Sequence, residues 1–172
     1  MISQWFSVTR TIGLAAYAVS LLSCLMRWAK CRQDRQSGRI FAVLTSVQLA
    51  LLLDMAFDWR WKLHDYGMRV AMMRGIYGER RAPQLLTLEV MAAILFVAVA
   101  MVLYRFRHRV GATLALTGTM LSVGLWCSEA LSYHFFDRIL YVMVGKAMLV
   151  SFLWCGLALV TCLGVWKDGS SG

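Results

Sequence analysis

Apolar residues run along this chain in five stretches separated by short polar breaks: Thr11 to Trp28, Ile40 to Leu53, Leu85 to Tyr104, Val110 to Tyr133 and Ala147 to Trp166. A helix needs about 20 apolar residues to cross a ~30 Å hydrocarbon layer, and these runs predict an all-α, polytopic transmembrane helix bundle of about five spans. The longest break is Asp54 to Gln84. Within it Trp59, Leu63, Tyr66, Val70, Met73 and Tyr77 fall on one stripe at helical spacing, and Asp58, Lys62, Asp65 and Arg69 fall on another with alternating sign. This predicts an amphipathic helix between the second and third spans. Its apolar stripe is expected at a bilayer surface or on neighbouring helices, and its charged stripe toward water or a polar cleft.

No glycine or proline stops the second run at Leu53, so its helix is expected to continue beyond the membrane. Carried to Arg74 it would be about 35 residues, roughly 52 Å, which exceeds the hydrocarbon thickness and predicts a bend near Gly67 or a change of direction into the interface. Gly75 and Gly78 then bracket a turn, and Pro83 suits the first turn of the next helix. Gly111, Gly118 and Gly124, set among alanine, serine and threonine, predict that the fourth span packs closely and centrally. A polar link from His134 to Lys146 leads to the fifth span. Trp5, Trp28, Trp59, Trp61 and Trp166 lie near span ends, where an aromatic belt belongs.

Composition narrows this further. With 172 residues, 60% of them hydrophobic, and one proline, the chain has room for several spans but not for a separate soluble domain. Residues 1–168 read as a single transmembrane domain and residues 169–172 as a linker or tag remnant. The net charge of +9 sits in short clusters between apolar runs, where arginine and lysine set topology and meet anionic headgroups; this argues against nucleic acid as a partner. The five cysteines form no C-x-x-C pair, so neither a disulfide framework nor a zinc knuckle is indicated. The first run lacks a small-residue cleavage site and is followed by a basic cluster, so it reads as a retained helix.

Five spans put the 27–39 loop, the 105–109 loop and the C-terminus on one face, and the N-terminus, residues 54–84 and residues 134–146 on the other. The eighteen basic residues split nine and nine, so a count does not orient the chain. The first face packs its charges into two very short loops, which favours it as cytoplasmic.

The acids are distributed unevenly. Seven of the nine lie on or just inside the second face. Ionisable groups near the ends of apolar spans cost several kcal/mol unless paired or hydrated, so Asp54, Glu89 and Glu129 are expected to point into the bundle or a water-filled vestibule. His134 and Asp137 are three residues apart and share a helical face, as a carboxylate-oriented histidine or two metal ligands would. With His64 and one of Asp58, Asp65 or Glu129 they could hold a divalent metal such as zinc, iron or manganese; haem b on His64 and His134 is an alternative. Glu129, His134 and Asp137 are the candidate proton-transfer groups. Ser132 and His134 face apart on a helix, which excludes a local nucleophilic triad. Arg80 and Arg81 stand beside the helix start at Pro83, with Tyr77 and Gln84 adjacent. Together with Arg69 they make a candidate site for an anionic, lipid-like ligand.

The run Arg69, Gly75, Tyr77, Arg80, Arg81, Gln84, followed by Ser132, His134 and Asp137, resembles a group of small uncharacterised bacterial integral membrane proteins. That group carries a Gly-aromatic-Tyr…Arg-Arg…Gln segment and a later Ser-x-His-x-x-Asp segment. Ile76 stands where the group has an aromatic residue, and His64 and Lys146 lie outside its pattern. The resemblance implies a bacterial inner-membrane protein, no particular activity, and a site centred on His134, Asp137 and the arginines. The sequence therefore leads to a membrane protein binding an anionic lipid-like molecule at its non-cytoplasmic face, with metal or acid–base chemistry beside it. Two other classes stand alongside: a haem- or quinone-binding redox subunit, and a non-catalytic protein that docks a partner membrane protein or forms a homo-oligomer.

Overall fold

The structure is a computed structural model that describes residues 2–75, 81–131 and 134–170, with side chains over 8–75, 82–131 and 137–170. Its elements in order are α1 (Ile2–Cys31), α2 (Arg35–Phe57), α3 (Trp59–Met73), α4 (Arg81–Arg105), α5 (Val110–Leu131), α6 (His134–Leu140), β1 (Met143–Val144), β2 (Ala147–Met148) and α7 (Leu149–Ser170). Among the described residues five helices, α1, α2, α4, α5 and α7, are long and apolar enough to cross a membrane. This is the all-α, five-span architecture expected from the apolar runs, and it is that of a multi-pass membrane protein. α7 runs through Gly169 and Ser170, the first two residues of the segment read as a linker.

The centre of the bundle is α5 against α7, flanked by α1 and α2. Contact between α5 and α7 is backbone to backbone. A Cβ on Gly164 would collide with the backbone of Ala115, one on Gly111 with the backbone of Asp168, and one on Gly118 with Thr161. The third small residue of the fourth span, Gly124, faces Leu95 of α4 instead. On the other side Tyr17, Leu51, Met55, Val150 and Trp154 pack into a single apolar cluster joining α1, α2 and α7. α4 lies outside this core, and none of its most apolar window is buried.

Each end of the bundle is tied by charge. At the basic-loop end Asp168 of α7 accepts from Arg27 Nε at 3.1 Å and Nη2 at 2.9 Å, and from Arg109 at 3.4 Å. Arg109 also donates to the Ser37 hydroxyl at 2.6 Å. Asp34 caps α2 by accepting the Gln36 and Ser37 amides. The Ser37 hydroxyl, followed by the Gln36 amide, holds the Asp34 carboxyl below its ordinary value of 3.8. Its contribution to stability is therefore present above that value and is lost as pH falls through the lowered one. The 27–39 loop, the 105–109 loop and the C-terminal end of α7 thus share one face, as the span arithmetic requires.

Two expectations for the opposite end are corrected. The second helix does not run on to bend near Gly67; the chain breaks earlier, at Asp58, where α2 stops at Phe57 and a new helix begins at Trp59. Asp58 takes the left-handed conformation, φ 56° and ψ 38°, which aspartate tolerates better than most residues. Gly67 lies inside α3 with open space where a Cβ would be. The link from His134 to Lys146 is also more ordered than a loop. It holds α6 and a hairpin pairing Val144 with Ala147 across a two-residue turn in which Gly145 has φ 66°. Gly75, with φ 68°, ends α3 as the turn signal predicts.

Because the atoms facing Gly164 are backbone and cannot step aside, Gly164→Val should lower stability by at least the ~1–3 kcal/mol typical of overpacking. Thermal unfolding of the detergent-solubilised protein by circular dichroism reads this out, and an unchanged midpoint would mean that α5 and α7 are not in backbone contact.

Candidate functional site: a buried arginine between two carboxylates

The site begins at the α2–α3 elbow. Asp54 lies one turn before the end of α2, and its Oδ1 accepts the backbone N–H of Arg60 at 2.8 Å, in the first turn of α3. A carboxylate there satisfies an N–H that a helix start leaves without an intrahelical partner, and it also meets the positive end of the helix dipole. The same carboxylate accepts from Arg60 Nε at 2.7 Å through Oδ2. The guanidinium then reaches across the bundle: Nη1 donates to Glu129 Oε2 of α5, and Nη2 lies 3.7 Å from the Met55 sulfur. Its carbon sits 5.6 Å from the centre of the Trp154 ring, whose Nε1 donates to Glu129 Oε1 at 3.0 Å. Asp54, Arg60 and Glu129 are each at most 3% exposed. One cation therefore joins α2, α3 and α5, and through Trp154 it joins α7.

Arg10 of α1 holds the elbow from outside. Its guanidinium donates to the Ala56 carbonyl at 2.5 Å and pairs with Asp58 at 3.0 Å, with both side chains more than a third exposed. Between this outer pair and the buried triad lies a pocket of about 30 Å³, lined by Arg10, Asp58, Arg60, Glu129, Tyr141 and Trp154 among others. That volume fits a single water-sized occupant and not a lipid headgroup. Tyr141 packs against Trp61 with ring centres 5.9 Å apart, and its hydroxyl has no hydrogen-bond partner among the described residues. Burial, with the Asp137 charge adding to it, pushes the Tyr141 phenol up to about 12.

The sequence-derived candidates are dispersed around this centre. Asp54 and Glu129 point into the bundle as expected; Glu89 does not, and lies exposed on the outer face of α4. Asp58 is engaged by Arg10. His64 lies on the half-buried side of α3, edge-on to Trp61 at 6.4 Å. Arg69 is exposed and donates to the Asp65 carbonyl at 3.3 Å. Gln84 donates to the Leu131 carbonyl at 3.3 Å, tying α4 to the end of α5. Asp137 lies half-buried in the first turn of α6. Tyr77, Arg80 and Ser132 lie outside the described residues, as do the side chains of Arg81 and His134, although Arg81 opens α4 and His134 opens α6. Among the described residues no three of the histidines, cysteines, aspartates and glutamates come together as a group able to hold a metal ion.

No family model, curated protein or solved structure aligns with this chain. The chemistry of the site therefore rests on its own atoms. Both oxygens of Glu129 and both oxygens of Asp54 accept hydrogen bonds, so the triad as it stands is a lock for α3.

Sequence reasoning missed Arg60. It is absent from the charged stripe because it projects inward while Lys62, Asp65 and Arg69 project outward. A usable signal was present in Asp54 and Glu129, two carboxylates placed near span ends on one face, which require a cation from the neighbouring segment.

Removing one partner of a buried pair leaves the other charge uncompensated, at a cost of about 3–5 kcal/mol. Arg60→Met and Glu129→Gln should each lower the unfolding midpoint and should free α3. Lys62, Arg69 and Arg74 would then become trypsin sites under conditions where the parent chain resists. Equal protease resistance in parent and variants would dismiss the lock.

Proposed function

We propose that this chain is a bacterial inner-membrane protein whose non-cytoplasmic end binds anionic phospholipid through α3 and the arginines that follow it. The observation carrying the proposal is the outward face of α3. Trp59, Leu63, Tyr66 and Met73 are 51–78% exposed, and Lys62 and Arg69 are exposed beside them. An apolar face with aromatic residues and flanking cations is the composition of a helix lying in a headgroup layer. α3 starts immediately beyond α2, at the level of the span ends, where such a layer would be. Arg80 and Arg81 follow α3 in the sequence, and α4 opens at Arg81, adding cations to this stretch of chain.

Two further features support this reading. The 30 Å³ pocket beside the elbow is too small for a headgroup, so at this end of the bundle the reading rests on the outer surface of α3. The elbow at Asp58, held by Arg10 and Arg60, fixes the direction in which α3 leaves the bundle. His134 and Asp137 begin α6 on the same face, and we assign any proton transfer at this end to them.

A basic residue near an anionic surface contributes about 1 kcal/mol, so removing two should weaken lipid retention on the order of thirtyfold. The purified protein, examined by native mass spectrometry after reconstitution with phosphatidylglycerol and phosphatidylcholine, should retain phosphatidylglycerol preferentially. Lys62→Gln with Arg69→Gln, and separately Arg80→Gln with Arg81→Gln, should abolish that preference. Preference unchanged in both double variants would end the proposal.

A further inference from the structure

Glu89 presents a problem that the described residues do not solve. It lies in α4, whose apolar span runs from Ala82 to Arg105, 24 residues or about 36 Å. Centring that span on a ~30 Å hydrocarbon layer places Glu89 roughly 7–8 Å below the surface. Unlike lysine or arginine, glutamate is too short to carry its charge out to the headgroups from that depth. Among the described residues it has no hydrogen bond or ion pair, and it is exposed. A carboxylate on a lipid-facing surface costs several kcal/mol, and such residues normally face protein or water.

The face on which it stands is well defined. α4 turns Gln84, Leu88, Met91, Leu95 and Ala98 toward the bundle, all partly buried. On the opposite side Leu86, Glu89, Ala93, Val97 and Ala100 form one seam at spacings of three and four, all exposed. Alanines at positions 93 and 100 leave room for another helix to approach closely.

We infer that the outer seam of α4 docks a membrane-spanning helix of a different protein, one carrying a lysine or arginine at the depth of Glu89. A second copy of this chain does not meet the requirement. A parallel pair formed through the same seam would set Glu89 against Glu89. Among the described residues at this end, the cations set against the spans, Arg10 and Arg60, are already engaged by Asp58 and by Asp54 with Glu129. The missing charge must come from elsewhere, and a helix with one basic residue supplies it while covering the apolar remainder of the seam.

The test uses a synthetic single-span peptide of leucine and alanine with one lysine two turns from the matching end, labelled with dansyl. Full-length protein is reconstituted in phosphatidylcholine vesicles, and energy transfer from its tryptophans is followed as peptide is added. Saturable transfer is expected with the lysine peptide, at least tenfold weaker transfer with Glu89→Gln, and only the random-collision level with an all-leucine peptide. Glu89→Gln should keep the parent's helicity and unfolding midpoint, since Glu89 makes no hydrogen bond or ion pair among the described residues. Four results would overturn the inference: equal transfer with the all-leucine peptide, full transfer with Glu89→Gln, a destabilised Glu89→Gln chain, or a Glu89-dependent homodimer in cross-linking of the protein alone.

Discussion

A guanidinium taken out of water must have its N–H groups and its charge answered by protein, and at Arg60 that requirement organises one end of the molecule. Desolvating an ion costs several kcal/mol even after relaxation, and Coulomb attraction offsets that only when the geometry is good. Asp54 Oδ2 accepts from the guanidinium at 2.7 Å while its Oδ1 accepts the Arg60 backbone N–H at 2.8 Å, Glu129 supplies a second acceptor to the guanidinium, and the face of Trp154 packs against the cation. Each of these groups comes from a different part of the chain, so satisfying one cation sets four positions. The end of α2, the start of α3, the last turn of α5 and the second turn of α7 all follow from it.

Stability alone is a poor explanation for such an arrangement, since well-packed apolar groups often do as well as a buried ion pair. Direction explains it better. An amphipathic helix with its apolar face outward has no packing preference to aim it, and α3 exposes most of its large apolar side chains. The Asp54 carboxylate caps α3 and pairs with its second residue, and Asp58 accepts the left-handed turn between the helices. Gly13 of α1 contributes from behind, because a Cβ there would strike both Met55 and Trp154 and displace the ring that faces the guanidinium. The polar lock and the apolar core are one construction.

Different physical signals made different parts of this legible in the sequence. The five spans follow from bulk apolarity, which is additive along the chain and needs no tertiary knowledge. The central place of the fourth span follows from its small residues, because only they permit the backbone contact seen at Gly111 and Gly118. The elbow at Asp58 was hidden, since aspartate is no strong helix breaker and the break depends on a carboxylate four residues earlier capturing an amide six residues on. Arg60 was hidden by the same turn: once the helix restarts at Trp59, the phase of the stripe changes, and a residue flanked by two tryptophans points inward. Glu89 shows the converse limit. Burial cost predicts that a carboxylate in a span finds a partner, but not whether the partner belongs to the same chain.

The distribution of packing also ranks how easily each part can move. α5 and α7 meet through glycine, with no side-chain layer between them to shear, and ion pairs anchor both ends of this pair: Asp168 with Arg27 and Arg109 at one, Glu129 with Arg60 at the other. A rigid pair of this kind transmits displacement as a body and does not absorb it. α4 is the opposite. It touches the core chiefly along α5, through contacts such as Leu95 with Gly124 and Gln84 with the Leu131 carbonyl, and none of its most apolar window is buried. Local opening draws on the segments with the fewest buried contacts. Movement in this bundle therefore belongs to α4, whose swing away from α5 would break the hydrogen bond from Gln84 to the Leu131 carbonyl and leave the Arg60 lock intact.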